Sequence, residues 1–246
     1  MNFKTTVLLL ILGFLYACSK DNDVTTPRNL QEYLDVNSSL ILDEVIACAA
    51  RSKTPSTVFI YYYPIENVSD IRYYETDSIN QNKTDFSLYK RKLLPQSNAF
   101  GEYLQKFTRT QTTKEKWCLV TYKTNGKLHK SNPIKIQNLT KPTEWKDTVR
   151  IEYPQTLQPK FSWDDGGILE NTIYFQVITD ADNNFLSGTY TTDKWFQYYN
   201  VSNVVLNITT QTPPFLILDN EYNFTTMGIS NDNWVNLIVE KTFIAQ

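Results

Sequence analysis

From Thr57 onward the chain alternates short runs of β-branched and aromatic residues with clusters of turn formers. Thr57-Val58-Phe59-Ile60-Tyr61-Tyr62-Tyr63, stopped by Pro64, has strand composition, and so does Ile71-Arg72-Tyr73-Tyr74-Glu75-Thr76. Residues 89–94 and 100–107 are further strand candidates. Trp117-Cys118-Leu119-Val120-Thr121-Tyr122-Lys123 runs into Asn125-Gly126, the pair that best supplies two positive-φ positions in a tight hairpin, and residues 127–129 and 132–136 return from it. After Pro142 the rhythm resumes with strands predicted over 149–153, 159–163, 172–179, 185–190, 204–208, 222–229 and 234–243. Leu42 to Ala49 fits a short helix or a first strand, and Gln31-Glu32-Tyr33-Leu34 suits one helical turn.

Short strands with a turn about every 8–12 residues are the pattern of a β-sandwich. The pattern occurs twice, so the expected fold is all-β, with two tandem immunoglobulin/fibronectin-III-like β-sandwiches over residues 38–140 and 141–246.

The N-terminus has a different pattern. Lys4 precedes an apolar run around Val7-Leu8-Leu9-Leu10-Ile11-Leu12, which is shorter than the roughly 20 residues a membrane span needs. A positive start, a short apolar core and a small residue at Ala17 form the secretory pattern, so residues 1–17 read as a signal peptide. Leu15-Tyr16-Ala17-Cys18 resembles the lipobox of bacterial lipoproteins, with Tyr16 where that family usually has a small or aliphatic residue. The resemblance implies a lipid on Cys18, and two or more acyl chains there would anchor the protein stably. Ser19-Lys20-Asp21-Asn22-Asp23 resembles the outer-membrane sorting and surface-export signal of Bacteroidota lipoproteins, with Ser19, Lys20, Asp21 and Asp23 as its residues and Asn22 interrupting the acidic pair. The implied location is the outer membrane, lipid-anchored and facing the cell surface. Residues 18–37 would form the lipidated cysteine and a polar tether.

Composition narrows the partners. A net charge of −2 offers no basic face for nucleic acid. With 41% apolar and 14% aromatic residues the chain can bury large cores. Cys48 and Cys118 could pair in an oxidising compartment. Both sit in apolar segments, which favours two buried thiols.

Both halves resemble fibronectin type III domains. In the second half Phe161-Ser162-Trp163 looks like the early strand that carries the core tryptophan. Leu216, six residues before Tyr222, looks like the leucine and tyrosine-corner pair, in which a buried hydroxyl ties a corner to the backbone. In the first half Ser131-Asn132-Pro133-Ile134 looks like that family's last strand. The long polar segment between Tyr190 and Val204 departs from the pattern. The whole chain resembles Bacteroidota surface lipoproteins with two such domains, a resemblance that supplies a location and a fold but no activity.

Candidate chemistry is sparse. His129 is the only histidine, and it reads as a surface residue on a hairpin arm. No catalytic motif surrounds it, and no zinc site can be assembled from one histidine and scattered cysteines. Asp180-Ala181-Asp182-Asn183-Asn184 begins like a calcium loop, but Phe185 replaces the required glycine, so a plain Asx-rich turn is expected and no metal or cofactor is assigned. Asp164 and Asp165 are adjacent and make a poor glycosidase pair. The aromatics carry more information. Tyr61-Tyr62-Tyr63, Tyr73-Tyr74 and the segment around Trp195, Tyr198 and Tyr199 place neighbours on opposite strand faces, so one face must be exposed or covered by another layer. Trp195, Tyr198 and Tyr199 rank first as ligand-binding aromatics. Asp77-Ser78-Ile79 and Asp147-Thr148-Val149 resemble the O-glycosylation sequon of Bacteroidota, with Ser78 and Thr148 as acceptors. The leading functional expectation is a non-catalytic binding or scaffolding module for a glycan or protein. A glycan-active hydrolase and an accessory subunit of an envelope complex are the alternatives.

Overall fold

The computed structural model describes residues 26–246. Helix α1 (Leu30–Val36) opens the first half. Asn29 caps it, its side-chain oxygen accepting from the Glu32 amide at 2.9 Å while the Glu32 carboxylate accepts from Asn29 Nδ2, a variant of the capping box. Ten strands follow: β1 (Ile41–Val45), β2 (Ala47–Arg51), β3 (Val58–Tyr62), β4 (Ser69–Glu75), β5 (Lys90–Lys92), β6 (Gln96–Ala99), β7 (Leu104–Arg109), β8 (Lys116–Thr124), β9 (Lys127–Ser131) and β10 (Ile134–Ile136). The second half contains β11 (Glu144–Lys146), β12 (Arg150–Gln155), β13 (Gln158–Ser162), β14 (Asn171–Asp180), β15 (Phe185–Thr191), β16 (Trp195–Gln197), β17 (Val204–Asn207), β18 (Glu221–Ser230) and β19 (Val235–Ile244).

These strands form four sheets. The first has the order β1-β9-β8-β4-β5, with β10 continuing beside β8, and the second has the order β2-β3-β7-β6. The third is β11-β19-β18-β14-β15-β17 and the fourth is β12-β13-β16. The two halves repeat one plan. In each, the first strand pairs in parallel with the return strand of a late hairpin (β1 with β9, β11 with β19), and the chain then crosses to start the opposite sheet. Each half is thus an all-β, two-sheet sandwich, as the sequence predicts. The ambiguous 42–49 segment is neither one helix nor one strand. It is the crossing point itself, where Ile46 separates β1 from β2.

The sheets stack as four layers. Val58, Ile60 and Tyr62 of β3 face Tyr73, Cys118, Val120 and Tyr122 of the first sheet in one core. The alternate residues of the same strand, Phe59 and Tyr61, turn the other way and pack on Phe175, Val177, Tyr190, Met227 and Ile238 of the third sheet. On that sheet's far side Tyr174, Ile178, Phe224 and Leu237 meet Phe161, Trp163 and Phe196 of the fourth. The outer face of the first sheet is covered too, because Leu30 and Tyr33 of α1 pack on Tyr74, Trp117 and Leu119. This double coverage explains why β8 is buried at nearly every position instead of alternating.

The two sandwiches therefore lie face to face rather than end to end. Twelve buried residues form the core between them. Fully burying one large apolar side chain contributes about 1.5–3 kcal/mol, so exposing this face would cost more than the ordinary 5–15 kcal/mol stability of a domain. Polar contacts fix the register. Thr143 Oγ1 donates to Val235 O at 2.7 Å and accepts from Arg51 N at 2.8 Å, and Trp145 Nε1 donates to Arg51 O at 3.0 Å. The β18–β19 hairpin tip reaches into the first sandwich, where Trp234 is fully buried in the core.

Buried charge is compensated. Glu75, 3% exposed, accepts from Tyr73, Arg109 and Lys116, tying β4 to β7 and β8. Burial works to raise the Glu75 pKa, but the two cations outweigh it and hold the carboxyl below its ordinary value.

Candidate functional site

Segment 195–200 turns sharply as it leaves the fourth sheet. The Asn200 amide donates to Gln197 O at 3.1 Å, closing a tight turn with Tyr198 and Tyr199 at its centre. Tyr199 has φ of 69°, a left-handed conformation that such turns normally assign to Gly or Asn and that is costly for a bulky residue. Interactions of its side chain hold it there. The Tyr199 hydroxyl donates to Pro213 O, and its ring stacks on Phe215 with centroids 5.3 Å apart and planes 19° apart.

Pro213-Pro214-Phe215 forms a ridge. Pro fixes φ and cannot donate to a ladder, so this stretch stays out of both sheets. Phe215 is 78% exposed, unusual for a phenylalanine engaged in a stack. Behind it Leu216 is buried in the second core, and Ile217 N donates to the Tyr222 hydroxyl at 2.9 Å. That is the tyrosine corner expected from the sequence, and it anchors the base of the ridge.

A groove runs along each side of the ridge. One, of about 350 Å³, is lined by Ser187, Thr189, Asn207, Thr209, Gln211 and Thr212, with Phe196 and Tyr199 as its apolar wall. The other, of about 420 Å³, brings Asp182, Asn220 and Glu221 next to Phe215 and Tyr222. An exposed Phe215 backed by a half-buried Tyr199, between grooves that carry hydroxyl, amide and carboxylate groups, can stack on an apolar ring face and hydrogen-bond the groups around it.

The three ranked aromatics separate. Tyr199 belongs to the ridge. Tyr198 is fully buried and its hydroxyl donates to Pro214 O at 2.7 Å, so it supports the ridge from within and presents no face to a ligand, a correction to the sequence expectation. Trp195 lines neither groove. The ammonium of Lys160 lies 4.5 Å from its ring centroid, and Trp195 O accepts from Asn203 Nδ2 at 2.9 Å. Phe215 was not singled out from the sequence, although two prolines directly before an aromatic residue were a usable signal for a held, projecting ring.

Cys18, Ser19, Lys20, Asp21 and Asp23 lie outside the described residues. Ser78 is half-buried beyond β4, its Oγ accepting from Asn80 N at 3.2 Å, and Thr148 is exposed between β11 and β12. Cys48 and Cys118 are both buried and free. His129 is not the surface residue expected. It is 4% exposed, stacked on Tyr122 at 4.9 Å, with Nδ1 3.2 Å from Glu44 O. Its hairpin is covered by β1, which pairs alongside β9, and a parallel partner 86 residues upstream left no local trace in sequence. Segment 180–184 is an Asx-stabilised turn: Asp180 Oδ1 accepts from Asp182 N and Asn184 N. Among the described residues no cluster of three His, Cys, Asp or Glu is placed to hold a metal.

Asp165 is buried at the other end of the second sandwich, accepting from Tyr174 Oη at 2.6 Å, Lys194 Nζ at 2.7 Å and Gly167 N at 3.0 Å. Burial opposes its charge, yet these donors outweigh burial and hold the pKa at about 2. Asp164 is exposed and accepts from Gly166 N at 2.9 Å, so the two carboxylates do not act as a pair.

No family model matches the chain, and no curated protein matches it. Among solved structures it is similar to the FN1–FN3 domains of chicken CNTN1, with 9% sequence identity, 85% of this chain and 68% of that chain covered, and a TM-score of 0.32.

Proposed function

We propose that this chain is a lipid-anchored protein of the outer-membrane surface that binds a glycan without altering it, using the ridge at Tyr199 and Phe215. The observation that carries this reading is the Tyr199–Phe215 stack itself: a strained backbone at Tyr199 is maintained to back a phenylalanine that remains mostly exposed. The flanking grooves supply the hydroxyl, amide and carboxylate groups that a polyhydroxylated ligand requires. The anchoring part of the proposal rests on Cys18 and the residues after it.

A second reading, a protein partner, is favoured by β17. This strand is an edge of the third sheet, and Val205 and Leu206 are exposed on it, whereas the β5 edge is blunted by Lys90, Arg91 and Lys92.

The test is retention of the full chain on immobilised polysaccharides, wild type against Phe215→Ala. Phe215 is exposed, so its loss should leave the melting temperature in place while weakening retention about tenfold, the loss expected from one aromatic contact. Unchanged retention would remove the ridge as the glycan site. Absence of retention on any polysaccharide, together with pull-down of an envelope protein that a β17 variant abolishes, would shift the assignment to the second reading.

A further inference from the structure

A cavity of about 220 Å³ lies between the two sandwiches, bounded by the β1–β2 crossing, β3, β14, β15, β17 and β18. Its walls include Cys48, Tyr61, Phe175, Tyr190 and Met227. For comparison, an apolar cavity of about 150 Å³ accepts benzene. The space here suits one substituted ring.

Two features point to a ligand. Tyr61 and Tyr190, 6% and 7% exposed, both line the cavity, and among the described residues neither hydroxyl is engaged in a hydrogen bond, which leaves both free to meet a ligand. The walls are also aromatic and sulfur-bearing. Phe175 and Tyr190 stack at 4.6 Å, and the Cys48 and Met227 sulfurs offer the soft contacts that favour ring edges. No Lys or Arg lines the space, and Glu44 stands among the lining residues, so an anionic ligand would be left without a counter-charge.

We propose that the cavity between the sandwiches is a binding site for a small neutral aromatic molecule carrying one hydrogen-bond acceptor, with the Tyr61 and Tyr190 hydroxyls donating to that acceptor. Burial raises both phenols above their ordinary pKa, so they remain protonated donors across the physiological range. Entry is from the side of Glu44, Ile46 and Asn132, where the lining includes exposed residues.

The experiment titrates the full chain with 4-fluoroacetophenone, followed by ¹⁹F NMR, with ethylbenzene and benzoate as competitors. The expected result is saturable one-to-one binding. It should weaken about tenfold in the Tyr61→Phe/Tyr190→Phe double variant, which keeps the packing and removes only the donors. Ethylbenzene should compete about tenfold less well than the unlabelled ketone, and benzoate should not compete. Circular dichroism melting of the double variant confirms that it is folded. The proposal is overturned if no saturable binding appears, or if the double variant binds as tightly as wild type.

Discussion

Ala49 of the first sandwich and Trp234 of the second are joined by a parallel β-bridge, with the Ala49 amide donating to Asn233 O at 3.0 Å. The bridge places the Trp234 indole inside the first core, where Nε1 donates to Lys141 O at 2.8 Å. One sandwich thus completes the core of the other. Trp234→Ala should cost about 3–5 kcal/mol, the usual loss for a buried tryptophan. Wild type should unfold in a single transition, with fluorescence and circular dichroism melts coinciding. Two resolved transitions would show that the sandwiches are independent.

The Glu75 triad predicts a second loss. Glu75→Ala would leave the largely buried Lys116 ammonium without its carboxylate, and breaking such a pair from one side costs about 3–5 kcal/mol. Urea unfolding of Glu75→Ala and of the Glu75→Ala/Lys116→Met double variant checks this. The double variant should recover part of the loss.

Acid stability should depend on Asp165. Its carboxyl has a pKa of about 2 when folded, against an ordinary 3.8. A depressed folded value stabilises fully above the unfolded value, and the stabilisation fades as pH falls from about 4 through 2. The difference corresponds to about 2 kcal/mol. Chemical denaturation at pH 7, 4 and 2 should show that wild type loses this increment and Asp165→Asn does not.

The two thiols should differ in reactivity. Burial pushes the Cys48 thiol up to about 12 and Cys118 higher still, so only a minute fraction of either is thiolate in the folded chain at neutral pH and access decides which reacts first. Cys48 lines the cavity and Cys118 is sealed in the first core, so a small neutral thiosulfonate should label Cys48 first, as read by mass spectrometry. Equal labelling of both would mean that reaction follows global opening.

Local chemistry made much of the fold readable. Asn125-Gly126 adopts positive φ at both residues, 49° and 71°, and the β8–β9 hairpin follows from it. Leu216 and Tyr222 announced the corner that now holds the ridge. The Tyr61-Tyr62 pair showed that two faces needed cover but not what would cover the second one, because that cover comes from β14, β15 and β18 more than a hundred residues away. The short strands β6, β11 and β16 escaped for a related reason. Pairing with a neighbour defines Gln96–Ala99, Glu144–Lys146 and Trp195–Gln197, not their own alternation. At the site, Tyr199 was visible as an unplaced aromatic. Its partner Phe215 was not, since the stack joins two loops on either side of β17.

Layering has a mechanical consequence. Domains strung end to end swing about their linkers, and the position of a ligand on the last one is poorly defined relative to the first. Here three inter-sheet gaps, about 10 Å each, separate the sheet beneath α1 from the sheet bearing Trp195, and each gap is filled by a buried core. Among the described residues a packed core fills every gap between the sheet under the helix and the sheet under the ridge. The described residues therefore form a stiff block about 30 Å deep, and a load applied at the base of the ridge passes through three packed interfaces in succession before it reaches α1.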